Sequence, residues 1–314
     1  MAFNSASGHN NLPSGNFTPE IFSQKVLKFF RRASVAEDIT NTDYAGEIEN
    51  FGDTDRVIKE PTITVASYSR GAVINPQDLA DDQITMVVDQ ANAFAFKIDD
   101  IEERHSHVNF EALATSSGAF SLKRKYDANV LQAMADGAGI TGSSTTIGSA
   151  SSPVDITGSG NEDAAVNLLL SMARLMDDNS VPEENRWFVA PPVFYENMFK
   201  AGAKFAEVQV TGDATSPLRN GLVMQGNIAG FNCYKSTVLN NSGTDVVTIN
   251  SQDTTNDFVV LGGHMSSTST ASHIAKTEVV RSTETFSDIV RGLHVFGRKV
   301  LRPEALAVGV VKTD

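Results

Sequence analysis

The chain is 314 residues long and 41% hydrophobic, with 38 acidic against 25 basic residues and a formal net charge of −13. That length supports one large or two ordinary hydrophobic cores, while the acidic balance disfavours a general grip on nucleic acid phosphates and so excludes a DNA-binding regulator from the expected classes. A single cysteine excludes an internal disulfide framework and points to a reducing site of synthesis, and no apolar run approaches the roughly 18 residues of a membrane span.

Residues 1–20, MAFNSASGHNNLPSGNFTPE, are rich in Asn, Ser, Gly and Pro. They lack the basic start and apolar block of a secretory signal and read as an arm that orders against a partner. The sequons at Asn16 and Asn240 are accordingly expected to stay unmodified. Pro19 and Glu20 open EIFSQKVLKFFRR, where Ile21, Phe22, Val26, Phe29 and Phe30 recur at helical spacing beside Lys25, Lys28, Arg31 and Arg32. This is an amphipathic helix suited to docking on a protein surface in preference to an anionic membrane.

From Asp53 to Asp100 the pattern becomes extended. Two β-rich runs, RVIKEPTITVAS and QITMVVDQANAFAFKI, flank YSRGAVINPQDLADD, whose Gly71, Pro76 and acidic end predict a long hairpin excursion. Such a hairpin cannot bury both faces on one small domain, so it is expected to project and to find its stability on another surface. Between Val108 and Ala135, Leu122, Tyr126, Val130 and Met134 follow at four-residue steps without proline, predicting a helix of about seven turns. It runs into GAGITGSSTTIGSASSPVDITGSG, a boundary or surface loop.

A second helix is marked by the capping-box spacing of Ser159 and Glu162, with Asn161 as an alternative cap, ahead of AAVNLLLSMARLM. RWFVA reads as a strand, PPVFYENMFK as a short helix begun by prolines, GNIAGFNCYKSTVL as a strand pair around Gly230, and DFVVLGG and HIAKTEVVR as further strands. The closing stretch, DIVRGLHVFGRKVLRPEALAVGVV, splits at Pro303 into two strands. In the first, Leu293 and Val295 oppose His294, Phe296 and Arg298. In the second, Leu306, Val308 and Val310 oppose Ala305, Ala307 and Gly309, the alternation of a strand with one face buried. Its charges are spread along a ribbon instead of converging on a point. The class is α+β.

The motifs that carry chemistry elsewhere are weak here. Gly137, Gly139 and Gly142 match the glycine spacing of a dinucleotide fingerprint, but that motif needs a strand before it and a helix after it, and the predicted order is the reverse. EERHSH places His105 and His107 beside Glu102 and Glu103 without a third ligand, and exposed polar residues are the simpler account. GGHMSSTSTASH raises the same question through His264 and His273, yet no serine sits in a G-x-S-x-G elbow. Cys233 reads as a small apolar strand residue. No catalytic, cofactor-binding or metal site is expected, and the chain is not expected to be an enzyme.

Three stretches carry a family resemblance: RWFVAPPVFYENMFKAGAKF, LRNGLVMQGNIAGFNCYKSTVL and FSDIVRGLHVFGRKVLRPEALAVGVV. In that order and spacing they resemble major capsid proteins of tailed double-stranded DNA bacteriophages with the HK97 fold. AFAFKIDDIEERHSHVNF and the helix through Tyr126 and Asp127 are similar to the stretch leading into that family's spine helix. The resemblance implies an N-terminal arm (1–50) reaching onto a neighbour, an extended loop or E-loop (51–100), a peripheral domain built from the spine helix (101–137) with 286–314, and an axial domain (138–285). It implies a coat protein assembling into pentamers and hexamers of an icosahedral head. Subunit contacts are then expected at Phe22, Phe29, Phe30, Arg31, Arg32, Lys59, Tyr68, Arg70, Asp81 and Asp82. The implied partners are further copies of the chain, a portal protein, a decoration protein in some heads, and packaged DNA held without sequence-specific contact; no membrane is involved. The virion is the implied location, with assembly in the host cytoplasm. The arm is too short and lacks the heptads of a fused scaffold, so a separate scaffolding protein is expected. Some relatives cross-link subunits through lysine and asparagine; Lys59 lies near the hairpin, but no motif maps that chemistry onto it and no covalent bonds are expected. An encapsulin-like compartment or a tail protein is the alternative.

Overall fold

The structure is a computed structural model that describes residues 34–43, 54–99, 110–198 and 227–313, short gaps within these ranges aside. In chain order the elements are α1 (Ala36–Ile39), β1 (Thr54–Lys59), β2 (Asp82–Val87), β3 (Gln90–Asp99), α2 (Phe110–Gly137), β4 (Ile140–Thr141) and β5 (Val154–Asp155). There follow α3 (Ala164–Asp178), β6 (Arg186–Ala190), α4 (Pro192–Met198), β7 (Asn227–Ile228), β8 (Phe231–Lys235), β9 (Asp257–His264), β10 (Thr268–Arg281), β11 (Ser287–Val300) and β12 (Leu306–Lys312). Short 3₁₀ turns at Met265–Ser267 and Pro303–Ala305 lead into β10 and β12.

Among the described residues the strands form three sheets. A seven-stranded mixed sheet runs β4-β12-β9-β6-β8-β7, with β5 also joined to β12; a three-stranded sheet runs β10-β11-β3; and β1 pairs with β2 alone. Strand β12 lies inside the large sheet, antiparallel to β9 from Leu306↔Gly263 to Lys312↔Asp257 and parallel to β4 and β5 on its other edge. The predicted alternation holds in direction but not in exposure, because Leu306 to Val311 are all buried. Leu306 and Val308 enter one core with Tyr126, Trp187 and Leu261. Ala307 and Val311 enter another with Leu168, Leu169, Phe188 and Phe194. The expectation of one buried face fails because α3 and α4 cover one side of the sheet and α1 with the buried half of α2 covers the other. Strand β6 is buried throughout for the same reason.

Helix α2 confirms the long predicted helix and lies across the three-stranded sheet. Tyr126 meets His294 and Phe296 edge-on, with ring centroids 5.3 and 4.8 Å apart, on the face that alternation assigns to those two residues. The opposite face of that sheet, through Val295 and Ala271, packs on Met86 and Val88. The sheet is therefore covered on both sides, by a helix and by the base of the β1–β2 pair.

Several boundaries differ from the sequence reading. The run QITMVVDQANAFAFKI is two strands, β2 and β3, which separate at Val88 and Asp89 and enter different sheets. Residues 63–65, expected to extend the first strand, fall beyond its end at Lys59. Helix α3 begins at Ala164 with Asp163 as its N-cap, and no side chain caps it. Ser159 and Glu162 lie outside the described residues; Asn161 instead makes a backbone turn, its carbonyl accepting the Ala164 amide at 3.0 Å. The strand pair around Gly230 is as read. Ala229 and Gly230, with φ of 52° and 86°, form a tight hairpin turn whose left-handed backbone suits glycine at the second position.

Candidate assembly surfaces

Among the described residues, those of a type that carries chemistry elsewhere are occupied by the fold. In His264 the Nδ1 atom accepts the Ser266 amide at 3.1 Å and lies 2.8 Å from its hydroxyl, closing the 3₁₀ turn before β10. Burial, helped by the positive charges of Arg302 and Arg186, holds its pKa below the ordinary histidine value. The thiol of Cys233 is pushed up to about 12 by burial against the core. Gly137 ends α2, and Gly139 donates its amide to the Pro303 carbonyl at 2.9 Å before the short strand β4, so a helix enters this glycine segment. His105 and His107 lie outside the described residues, as does the side chain of His273. Among the described residues no three His, Cys, Asp or Glu side chains gather as a metal site. A cavity of about 360 Å³ is lined by Asp155, Asn161, Asn167 and Ser171, but the Asp155 carboxylate already accepts the amides of Thr157 and Gly158 at 2.9 and 3.0 Å.

The exposed apolar residues have a different distribution. Strands β1 and β2 pair antiparallel from Thr54↔Val87 to Lys59↔Asp82, and the described residues between them, within 63–77, belong to no strand or helix and are exposed. Ile58 is 81% exposed, Val65 92%, Tyr68 65% and Val73 86%, an apolar content that an isolated water-facing loop does not need. Of the expected contact residues, Lys59 and Asp82 are backbone partners at the last rung of this pair. Tyr68 and Arg70 sit exposed in the loop beyond it. Phe22, Phe29, Phe30, Arg31, Arg32 and Asp81 lie outside the described residues. A second exposed group, Val279, Val280 and Phe286, sits at the far end of the β10–β11 pair. There Arg281 faces Asp288 at 3.0 Å and Arg291 bonds Glu278 across the strands. These exposed ion pairs contribute little to stability, on the order of 0–1 kcal/mol each.

One arrangement was not foreseen. Asp127, 5% exposed on α2, points at the start of α1, where its carboxylate accepts the Ser34 hydroxyl and the amides of Val35 and Ala36 at 3.2 and 3.3 Å. These amides are ones a helix start leaves without intrahelical partners. Burial raises the Asp127 pKa, partly offset by the three hydrogen bonds. Val35, Ala36 and Ile39 then enter the core. Asn41 continues as a bridge to β10, its amide donating to Thr268 at 2.9 Å and its carbonyl accepting from Thr270 at 3.0 Å. Residues 34–43, placed by the resemblance within an arm reaching a neighbour, therefore strap onto their own subunit. The available signal was an acidic residue on the apolar stripe of Tyr126, Val130, Leu131 and Met134.

Comparison with known proteins gives one consistent result. Residues 85–309 match the family model described as phage capsid protein. A solved chain from Mycobacterium phage Che8 is 24% identical, with a TM-score of 0.76 over 93% of this chain and 97% of that one. The capsid of cyanophage P-SCSP1u is 19% identical, with a TM-score of 0.69 over 97% and 96%. The capsid of a native GTA particle is 15% identical, with a TM-score of 0.62 over 99% and 100%. No curated protein matches the sequence significantly.

Proposed function

The chain belongs to the phage capsid protein family, and from that membership we infer that it is the major capsid protein of an icosahedral head, its copies closing into pentamers and hexamers around double-stranded DNA. Its fold is HK97-like. The observation that carries the reading beyond the family match is the β1–β2 excursion. Ile58, Val65, Tyr68 and Val73 are held away from every core of their own subunit, and such residues are stabilised when another molecule covers them.

Symmetry explains how modest contacts suffice. Each subunit offers heterologous surfaces that close into rings, and many contacts act on every subunit at once. A specific interface needs only about 1,000 Å² of buried area. The role is structural and the chain is not an enzyme. A separate scaffolding protein, a portal protein and, in some heads, a decoration protein complete the partners. Assembly takes place in the host cytoplasm before the protein resides in the virion. An acidic inner wall, consistent with the net charge of −13, would repel packed DNA and let it slide. An encapsulin-like compartment or a tail protein is not favoured by the family match.

Expression alone and with a scaffolding protein, followed by negative-stain electron microscopy and sedimentation, tests this reading. Closed shells, or rings of five and six, are the expected products. A stable monomer under every condition overturns it.

A further inference from the structure

A ring closed by one heterologous contact has no hold on its neighbours, so a shell of rings needs a second surface on every subunit. The far end of the β10–β11 hairpin has the features of one. Its last rungs are Val279↔Val290, Val280↔Ile289 and Arg281↔Asp288, about 20 Å along β11 from Val295, where the base of the β1–β2 pair packs. Val279 and Val280 are adjacent and so point to opposite faces of the hairpin, yet both are exposed. Phe286, in the connection between the strands, is 82% exposed. A sheet face turned to water carries polar residues. Apolar side chains on both faces and at the end suit a hairpin whose tip is enclosed by other molecules.

The local charges name the occupant. Arg281 pairs with Asp288 at 3.0 Å and Arg291 with Glu278, so each strand carries one charge of each sign beside the apolar residues. Residues 276–291 hold three basic residues, Lys276, Arg281 and Arg291, and three acidic ones, Glu278, Glu284 and Asp288, a balance of zero on a chain of −13. Such a pattern suits neither a polyanion nor a polycation, and it is complementary to itself, since Arg281 of one tip can meet Asp288 of another with every charge still matched. The four paired side chains are 33% to 56% exposed, so a second tip can reach them.

We propose that the tip of the β10–β11 hairpin meets the same tip on copies in neighbouring rings, with Phe286 and the two valines packing at the contact and the ion pairs exchanging partners across it. This assignment rests on the capsid reading and adds to it the contact that joins one ring to the next.

The test uses the full chain with three sets of substitutions at these exposed positions: an acidic tip, Arg281→Glu with Arg291→Glu; a basic tip, Glu278→Lys with Asp288→Lys; and Phe286→Ser. Sedimentation and negative-stain electron microscopy follow the products, with scaffold present where the unmodified chain requires it. Neither charge variant alone should give particles larger than a ring, because like charges then face each other. Co-expression of the acidic and basic variants should restore larger particles, and Phe286→Ser should lower shell yield about ten-fold or more. Normal shells from either charge variant alone, or from Phe286→Ser, overturn the proposal. Co-expressed charge variants that give nothing larger than each gives alone overturn it too, because a tip that met some other surface would not be rescued by an oppositely charged tip. Failure of the unmodified chain to assemble at all would instead overturn the capsid reading itself, so the two failures are distinguishable.

Discussion

Asp127 is a carboxylate placed where charge is disfavoured, and its hydrogen bonds only partly offset that burial. The native carboxyl thus holds its proton to higher pH than the unfolded chain does. Its contribution to stability is fully present below the ordinary carboxylate range and is lost as pH rises through the raised native value. His264 and His294, both lowered chiefly by burial, act in the opposite sense, losing stability as pH falls below about 6.5. Comparison with Asp127→Asn cancels them: from about pH 7 to about pH 4 the urea midpoint of the unmodified protein should gain on that of the variant. A constant difference would contradict this account of the strap. Cys233 gives a simpler readout. With its pKa pushed up to about 12, almost no thiolate exists near neutrality, so a disulfide reagent should label it only after unfolding. Rapid labelling of the native protein would show that the burial is wrong.

Strand β12 depends on a residue without a side chain. At Gly309 a Cβ would come within 2.4 Å of the Ile147 carbonyl, the group that also accepts the Val310 amide at 3.2 Å. Gly309→Ala must displace a backbone segment and not merely a flexible side chain, and it should cost about 1–3 kcal/mol, read as a lowered midpoint in denaturant. The β1–β2 excursion predicts the reverse combination. Val65 and Tyr68 make few contacts within the subunit, so Val65→Asp with Tyr68→Ser should leave its stability within about 0.5 kcal/mol while sharply reducing shell yield. A large loss of subunit stability would mean that these side chains pack at home.

At the scale of the molecule, the last strand joins what the chain has built earlier. Leu306 and Val308 serve the core beneath α2, while Ala307 and Val311 serve the core beneath α3 and α4. Deleting residues 306–314 removes a central strand from the seven-stranded sheet and opens both cores. The shortened chain should lose cooperative unfolding and collect in the insoluble fraction; a cooperative transition would show that the two cores are separable. The strap at residues 34–43 has the same integrating character, touching α2 and β10 at once.

Local physics made much of this legible. The four-residue apolar period of α2, the alternation in β11 and the proline break before β12 depend on neighbours a few positions apart, so the α+β class and most elements could be read from the sequence. The order of three stretches added a resemblance to a known family, which is not a matter of local physics. Burial on two sides could not be read, because alternation says which side chains share a face and nothing about what covers it; α3 over Ala307 is a long-range fact. The same limit hid the partners of Asp127, since a carboxylate declares its charge in the sequence and only the tertiary structure determines whether that charge is met.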